Sequence, residues 1–335
     1  MKFGPVAVSQ AGGAILAHSV KLGKHRLKKG LALEADHIDQ LRAAGVDEVI
    51  VARLDPGDVH ENAAAGRLAA ALVPDPEAVG VRLTTPFTGR VNVVADGAGV
   101  ACLDVAALEA FNRVAAMITI ATVPDCQQMA PGGMVATIKV ISFAVSEQEV
   151  SLACDVARGA IRLVRPAYET ASLIITEVPG GPSEDKGRRV IGARLKALEI
   201  QMVECVSVAH DTDDLAEAVK RAKGQMVLVL TGSATMDIDD VAPLALRRAG
   251  GRVERFGMPV DPGNLLFIGN LSGRPVIGLP GCARSPALNG ADWVLSRVAC
   301  GIAVTADDIA AMGVGGLLKE IPTRPQPRAG RKANS

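Results

Sequence analysis

The chain has 335 residues with 36 basic and 36 acidic side chains, so its formal net charge at pH 7 is zero. Aromatic residues make up only 2%, and with no net positive charge this composition argues against a nucleic-acid surface built from base stacking and basic patches. Hydrophobic residues make up 49%, which predicts a globular protein long enough for two or three domains. We therefore expect the partner to be a small molecule.

The cysteines and the apolar segments indicate the compartment. Six cysteines are scattered without a CxxC pair, so neither a zinc site nor a disulfide framework is indicated. The N-terminus makes a poor signal peptide, and no uninterrupted apolar segment reaches the roughly 20 residues that a membrane helix needs. The sequence predicts a cytoplasmic protein with reduced thiols and no membrane partner.

Residues 1–74 read as a small α+β unit. The spacing of apolar residues predicts a helix over 34–44, stopped by a glycine, and a strand over 48–51. The basic run KLGKHRLKKG at 21–30 is typical of the solvated rim of a hairpin, with attraction of an anionic ligand as the alternative.

Residues 75–167 are richer in β-branched side chains and predict a second, β-rich α+β unit. A helix is expected over 105–116, with strands near 117–123 and 134–145. Glycine and proline separate these pieces, which is typical of a compact mixed segment.

From residue 172 strands and helices alternate, which predicts a parallel sheet with helices on both faces, a doubly wound α/β domain over 168–318. The apolar run 226–230 is the expected central strand, because such runs suit a strand buried on both faces. The Pro-rich, basic end at 319–335 predicts a disordered tail.

The loop after this central strand is the strongest candidate site. Residues 231–240 are small or acidic, and Asp240 or its neighbour can cap the following helix, so unpaired N–H groups meet at the sheet edge where anions bind. Asp237 and Asp240 would repel a bare phosphate, and a Mg²⁺ ion between loop and ligand resolves the conflict. The alternative is a connecting loop with a solvated acidic cap.

The loop sequence TGSATMDIDD resembles the TGGxSxGxxD loop of the molybdopterin-binding fold, which molybdopterin adenylyltransferases and molybdopterin molybdotransferases share. Thr231, Gly232, Thr235 (for the Ser) and Asp240 match without a gap. Two further motifs follow in order: Pro262-Gly263 for the PGKP turn, and Gly278-Leu279-Pro280-Gly281 for the GLPGNP turn. The whole chain also resembles stand-alone molybdopterin-binding proteins of about this length.

Departures from the family motifs fall at positions that matter for transfer chemistry. Ser233 replaces a glycine, Asp237 replaces another, Asn264 stands where the transferases carry Lys, and Cys282 begins the pair that replaces Asn-Pro. The resemblance therefore implies the fold and the ligand class more strongly than it implies the transferase activity.

The resemblance implies a set of site residues. Those expected to contact molybdopterin or the molybdenum cofactor are Thr231, Gly232, Ser233, Ala234, Thr235, Pro262, Gly263, Asn264, Gly278, Leu279, Pro280, Gly281 and Cys282. Asp240 and Asp237 are the expected catalytic and metal-positioning carboxylates. Cys282 is either a thiol near the ligand's dithiolene or an ordinary buried cysteine.

The sequence and the resemblance are compatible with three functions. The first is a molybdopterin-binding protein of molybdenum-cofactor biosynthesis with molybdotransferase-like, Mg²⁺-dependent chemistry on an adenylated pterin. The second is a non-catalytic carrier or sensor of the cofactor, and the third is a nucleotide pyrophosphatase, since a related domain occurs in such enzymes. Molybdoenzymes or other cofactor-biosynthesis proteins are the partners that the first two imply, and an oligomer is compatible with each.

Overall fold

The computed structural model describes residues 1–318, and the predicted tail at 319–335 lies outside the described residues. The chain divides into two compact units. The first contains Met1–Gly97 and Ala101–Val164, and the second begins at Arg165 and takes in the short segment Ala98–Val100. The predicted split of the N-terminal part near residue 75 stays a prediction.

The elements before Arg165 are short strands and four helices. In chain order they are β1 Lys2–Ala7, β2 Ile15–Leu16, β3 Val20–Leu22, β4 His25–Leu27, α1 Ala35–Ala43, β5 Glu48–Arg53, β6 Asp58–His60, α2 Glu61–Leu72, β7 Val81–Leu83, β8 Arg90–Ala95, β9 Gly99–Leu103, α3 Val105–Val114, β10 Ile118–Thr122, β11 Gln127–Met129, β12 Met134–Val140, β13 Ala144–Ser146, α4 Glu147–Val156 and β14 Ile161–Val164.

The first unit is built on small antiparallel sheets. The order β1-β5-β2 forms one sheet and β10-β12-β8-β7 another, with α2 and α4 packed on the same core as the second. The predicted helices at 34–44 and 105–116 are confirmed as α1 and α3, and the predicted strands at 48–51 and 117–123 as β5 and β10. The expected single strand at 134–145 is two strands, β12 and β13, and the sequence analysis missed α2 and α4.

The second unit alternates strand and helix through its first half. Its elements are β15 Thr170–Glu177, α5 Glu184–Ala197, β16 Gln201–Ala209, α6 Thr212–Arg221, β17 Met226–Leu230, α7 Val241–Arg248, β18 Arg252–Phe256, β19 Phe267–Leu271, β20 Arg274–Leu279, α8 Gly290–Ala299 and α9 Ala306–Ala311.

One six-stranded sheet carries this unit, in the order β16-β15-β17-β20-β19-β18. Strands β16, β15, β17 and β20 are parallel, and β19 and β18 continue the sheet antiparallel. All five residues of β17 are buried, and they alternate between two cores: Leu228 packs with α5, α8 and α9, while Val229 packs with α6 and α7. The predicted doubly wound, mostly parallel α/β fold and its central strand are confirmed.

The sheet has a topological switch point between β15 and β17. The chain leaves β15 through α5 to reach β16 on one side, and returns through α6 to place β17 on the other side. The loops after β15 and β17 therefore lead to helices on opposite faces, and they leave a crevice at the carboxyl edge where ligands of such sheets bind. Within residues 1–318, no helix has the length and apolar character needed to cross a membrane.

Candidate functional site

The loop after β17 is fixed at its first two residues. Thr231 is buried, and its Oγ1 donates to the Ser233 carbonyl at 2.6 Å and lies 3.5 Å from Thr235 Oγ1. Gly232 N donates to Thr176 Oγ1 on β15 at 2.9 Å. A Cβ at Gly232 would lie 2.6 Å from the Thr176 carbonyl oxygen, which is backbone and cannot move aside cheaply. The glycine of the motif is therefore needed for the close approach of two chain segments.

The next part of the loop offers unpaired donors. The backbone N–H groups of Ser233, Ala234 and Thr235 have no hydrogen-bond acceptor within the part of the chain that the structure describes. Ser233 and Ala234 are exposed, whereas Thr235 is buried. Successive free N–H groups in a loop form an anion-binding concavity, so this geometry suits a phosphate.

The acidic end of the loop is used locally. Asp240 Oδ1 accepts from Val241 N at 2.7 Å and Oδ2 accepts from Met236 N at 2.9 Å, so this carboxylate caps α7 and closes the loop. Asp237 Oδ1 accepts from Asp239 N at 2.8 Å. Among residues 1–318 no group of three or more His, Cys, Asp or Glu side chains has metal-ligand geometry. A cation role for Asp237 and Asp240 stays a prediction.

A threonine hydroxyl that the sequence analysis did not select joins three strand ends. Thr176 Oγ1, near the end of β15, accepts from Gly232 N and lies 2.8 Å from Nδ1 of His210, which follows β16. Thr176 is buried and His210 is half-buried. The loops after β16 and β17 are thus tied to one atom on the strand between them.

The turn after β20 lies beside this loop. Gly278 pairs with Val229 and Leu279 with Leu230, so parallel pairing brings the ends of β20 and β17 to the same edge. A Cβ at Gly278 would lie 1.9 Å from the ring of Phe267, which accounts for the glycine. The predicted Gly278 to Gly281 motif is therefore adjacent to the predicted 231–240 loop.

Two arginines flank this turn and were not selected from the sequence. Arg194 of α5 donates to the carbonyls of Ala283 at 2.9 Å, Ser285 at 2.9 Å and Ala287 at 3.1 Å, and it also pairs with Asp292. Arg284 ends the 3-10 turn that follows Pro280, and its Nη1 donates to the Thr231 carbonyl at 2.9 Å. The only sequence signal was the presence of an arginine beside the GLPG motif.

The remaining predicted residues are Pro262, Gly263, Asn264 and Cys282, and none of them has a hydrogen bond to residues 231–240 in the part of the chain that the structure describes. Gly263 packs on the start of α8, since Gly290 N donates to the Pro262 carbonyl at 2.8 Å and a Cβ at Gly263 would lie 2.7 Å from the same nitrogen. Asn264 is exposed. Cys282 is exposed as a residue, and partial burial of its thiol raises its pKa, so the thiol form predominates at neutral pH.

A doubly wound sheet with a small-residue loop at its switch point defines an α/β ligand-binding domain. Residues 173–299 match the family described as "Probable molybdopterin binding domain". This stretch contains all three predicted motifs, and the resemblance is confirmed for the domain. Residues 5–53 match a second family, described as "Domain of unknown function (DUF8806)". No curated protein matches the chain.

A comparison with solved structures gave matches that include the following three. A molybdopterin biosynthesis MoeA protein from Pyrococcus horikosii shares 14% identity over 90% of this chain and 75% of its own, with a TM-score of 0.32. The protein CinA from Thermoplasma acidophilum shares 21% identity over 35% of this chain and 90% of its own, with a TM-score of 0.24. A molybdenum cofactor biosynthesis protein from Pyrococcus furiosus shares 11% identity over 84% of this chain and 59% of its own, with a TM-score of 0.22. The assignment of the domain at 173–299 rests on the family match.

Proposed function

We propose that the protein binds molybdopterin in molybdenum-cofactor biosynthesis, and that the loop 231–235 holds the phosphate of the pterin. The observation that carries the proposal is the row of three N–H groups, from Ser233 to Thr235, that have no acceptor among residues 1–318, at the switch point of a domain that matches this family.

The test is recovery of the ligand. The protein is purified from a host that makes the cofactor, and the released small molecules are identified by mass spectrometry. We expect a pterin with the parent protein. Recovery of no pterin from a producing host would contradict the proposal, and recovery of a nucleotide instead would support the pyrophosphatase alternative.

A glycine variant with a matched control links the ligand to the loop. In Gly232→Ala the added Cβ meets backbone at 2.6 Å, so the loop must shift and pterin recovery should fall strongly. In Gly12→Ala the added Cβ meets no atom within 4 Å, so recovery should match the parent. Equal recovery from both variants would remove the loop from the site.

Molybdotransferase-like chemistry is the second candidate, favoured by the two carboxylates Asp237 and Asp240 beside the loop. Both oxygens of Asp240 already accept backbone N–H bonds, so the described residues alone form no metal cage, and a cation would also need phosphate oxygens of the ligand. Mg²⁺ held in this way would neutralise charge on a diphosphate. Asn264 in place of the family's Lys favours the carrier function instead.

Asp240→Asn separates the two functions. Asn caps helices about as well as Asp, but its single side-chain oxygen can keep only one of the two backbone hydrogen bonds that Asp240 accepts, so the fold should persist at somewhat lower stability. Metal-free pterin binding, measured in the same variant, controls for any change in the loop. If the protein works through Mg²⁺, the variant loses magnesium-dependent cleavage of an adenylated pterin. If the parent itself shows no magnesium response and no release of AMP, the carrier function is the correct one.

A further inference from the structure

The side chain of Arg284 is buried and incompletely paired. Only 7% of the residue is exposed, and Nη1 donates to the Thr231 carbonyl at 2.9 Å. Nε and Nη2 are closed off from solvent and have no hydrogen-bond partner within residues 1–318. Two of the three guanidinium nitrogens therefore lack an acceptor.

Such a group is unfavourable unless a ligand completes it. A guanidinium remains protonated in proteins, and burial lowers the pKa of Arg284, with no acidic group among residues 1–318 acting against that shift. Arg194, also largely buried, shows the contrast, because it has the carboxylate of Asp292 and carbonyl acceptors. Within residues 1–318, Arg194 therefore has a carboxylate and carbonyl acceptors, whereas Arg284 has no carboxylate partner and two of its nitrogens have no acceptor.

The two unpaired nitrogens of Arg284 have the geometry to bind an oxyanion. Nε and Nη2 lie on one edge of the planar guanidinium, and this edge forms two parallel hydrogen bonds to a phosphate or carboxylate. A neutral acceptor would satisfy one of the two donors and leave the charge unbalanced. The unpaired edge therefore calls for an anion.

The location of Arg284 connects it to the ligand crevice. The carbonyl that it contacts belongs to Thr231, the first residue of the phosphate loop. On the other side lies the first turn of α5, where a Cβ at Gly187 would be 3.8 Å from Arg284 Nε and 2.8 Å from Leu230 Cδ2. The guanidinium thus lies between the end of β17 and the N-terminal turn of α5, at the switch point.

We propose that Arg284 is a phosphate-binding residue of the pterin site, which donates hydrogen bonds from Nε and Nη2 to two oxygens of one phosphate. This inference rests on the proposed function for the identity of the ligand, and on the unpaired edge for the chemistry. Because both nitrogens are closed off from solvent, the ligand reaches them only after neighbouring chain segments move apart, so association should be slow.

The experiment compares Arg284→Met, which removes the charge but keeps an apolar stem, with Arg284→Lys, which keeps the charge but loses the fork. Arg252→Met, at an exposed arginine 79% accessible, is the matched control. For each protein the melting temperature is measured with and without inorganic pyrophosphate, against sodium chloride of equal ionic strength, and the affinity for the pterin is measured separately.

We expect pyrophosphate to raise the melting temperature of the parent and of Arg252→Met. Arg284→Met should keep or raise the ligand-free melting temperature, lose the pyrophosphate shift, and bind the pterin at least tenfold more weakly. Arg284→Lys should retain only part of the shift. If Arg284→Met does not fold, a full shift in Arg284→Lys overturns the two-donor contact.

The outcomes separate this inference from the proposed function. A pyrophosphate shift that depends on Arg284, in a parent that binds no pterin, supports the inference and contradicts the proposed function. Equal pterin affinity in the parent and Arg284→Met overturns the inference and leaves the proposed function in place. A parent that pyrophosphate does not stabilise also overturns it, as does Arg284→Met with a lower melting temperature and an unchanged shift, which indicates a purely structural arginine.

Discussion

Replacing Arg194 by Lys should destabilise the second unit, although it conserves the charge. The Arg194 side chain is 11% exposed, and its fork reaches the carboxylate of Asp292 and three carbonyls of the segment 283–287. A compact ammonium can keep the ion pair but cannot span all of these acceptors. The segment after the GLPG turn would then lose hydrogen bonds that tie it to α5.

The magnitude follows from the bonds lost. If two of the three carbonyl bonds disappear, at about 1.5 kcal/mol each for a charged donor, the free energy of unfolding falls by about 3 kcal/mol. This is a substantial part of the roughly 5–15 kcal/mol that stabilises a typical domain.

The assay is urea unfolding of the parent, of Arg194→Lys and of a control variant, monitored by far-UV circular dichroism. Amide hydrogen exchange of α5 is the local probe. Arg252→Lys is the control, because its pair with Glu254 is exposed and should contribute no more than about 1 kcal/mol. If Arg194→Lys costs no more than this control, the segment is held by its own hydrogen bonds and the reasoning fails.

Three further predictions concern single side chains. Val229→Asp buries an unpaired carboxylate in the central strand, where Val229 is 1% exposed, and should abolish the cooperative unfolding of the second unit; a native transition in calorimetry would contradict this. Gly278→Ala should cost about 1–3 kcal/mol or more by overlap with Phe267, and much less in a Phe267→Leu background; additivity in the double-mutant cycle would show that the ring is not the obstacle. Cys102 should be alkylated with a rate that rises around pH 7, because a hydrogen bond with the Cys126 thiol lowers its pKa to about 7, and Cys126→Ala should move the profile to higher pH; an unchanged profile would exclude that pairing.

The sequence predicted the parts of the fold that depend on local patterns. The apolar run 226–230 predicted β17 with its observed bounds, and the alternation after residue 172 predicted a mostly parallel sheet with helices on both faces, although not the order of its strands. The sequence analysis missed the helix α2 although the helix is rich in alanine, because Gly66 near its centre weakens the helical pattern. The structure gives a packing reason for this glycine, since a Cβ at Gly66 would lie 3.3 Å from the ring of Pro86.

The candidate site was predictable only where residues adjoin in sequence. Thr231 to Asp240 form one segment, so a motif could identify them. Thr176 and His210 meet because β15 and β16 are paired in parallel, and nothing local in either segment indicates that contact. The unpaired state of Arg284 depends on which groups surround it in three dimensions, and a sequence carries no direct record of a missing partner.

The distribution of aromatic residues has a practical consequence for the two units. The chain has one tryptophan, Trp293, and one tyrosine, Tyr168, and both pack against the core of the second unit. Tryptophan emission therefore follows the second unit alone, while peptide absorption in the far ultraviolet follows both. A difference between the two midpoints in one titration would measure, without any label, how independently the units unfold.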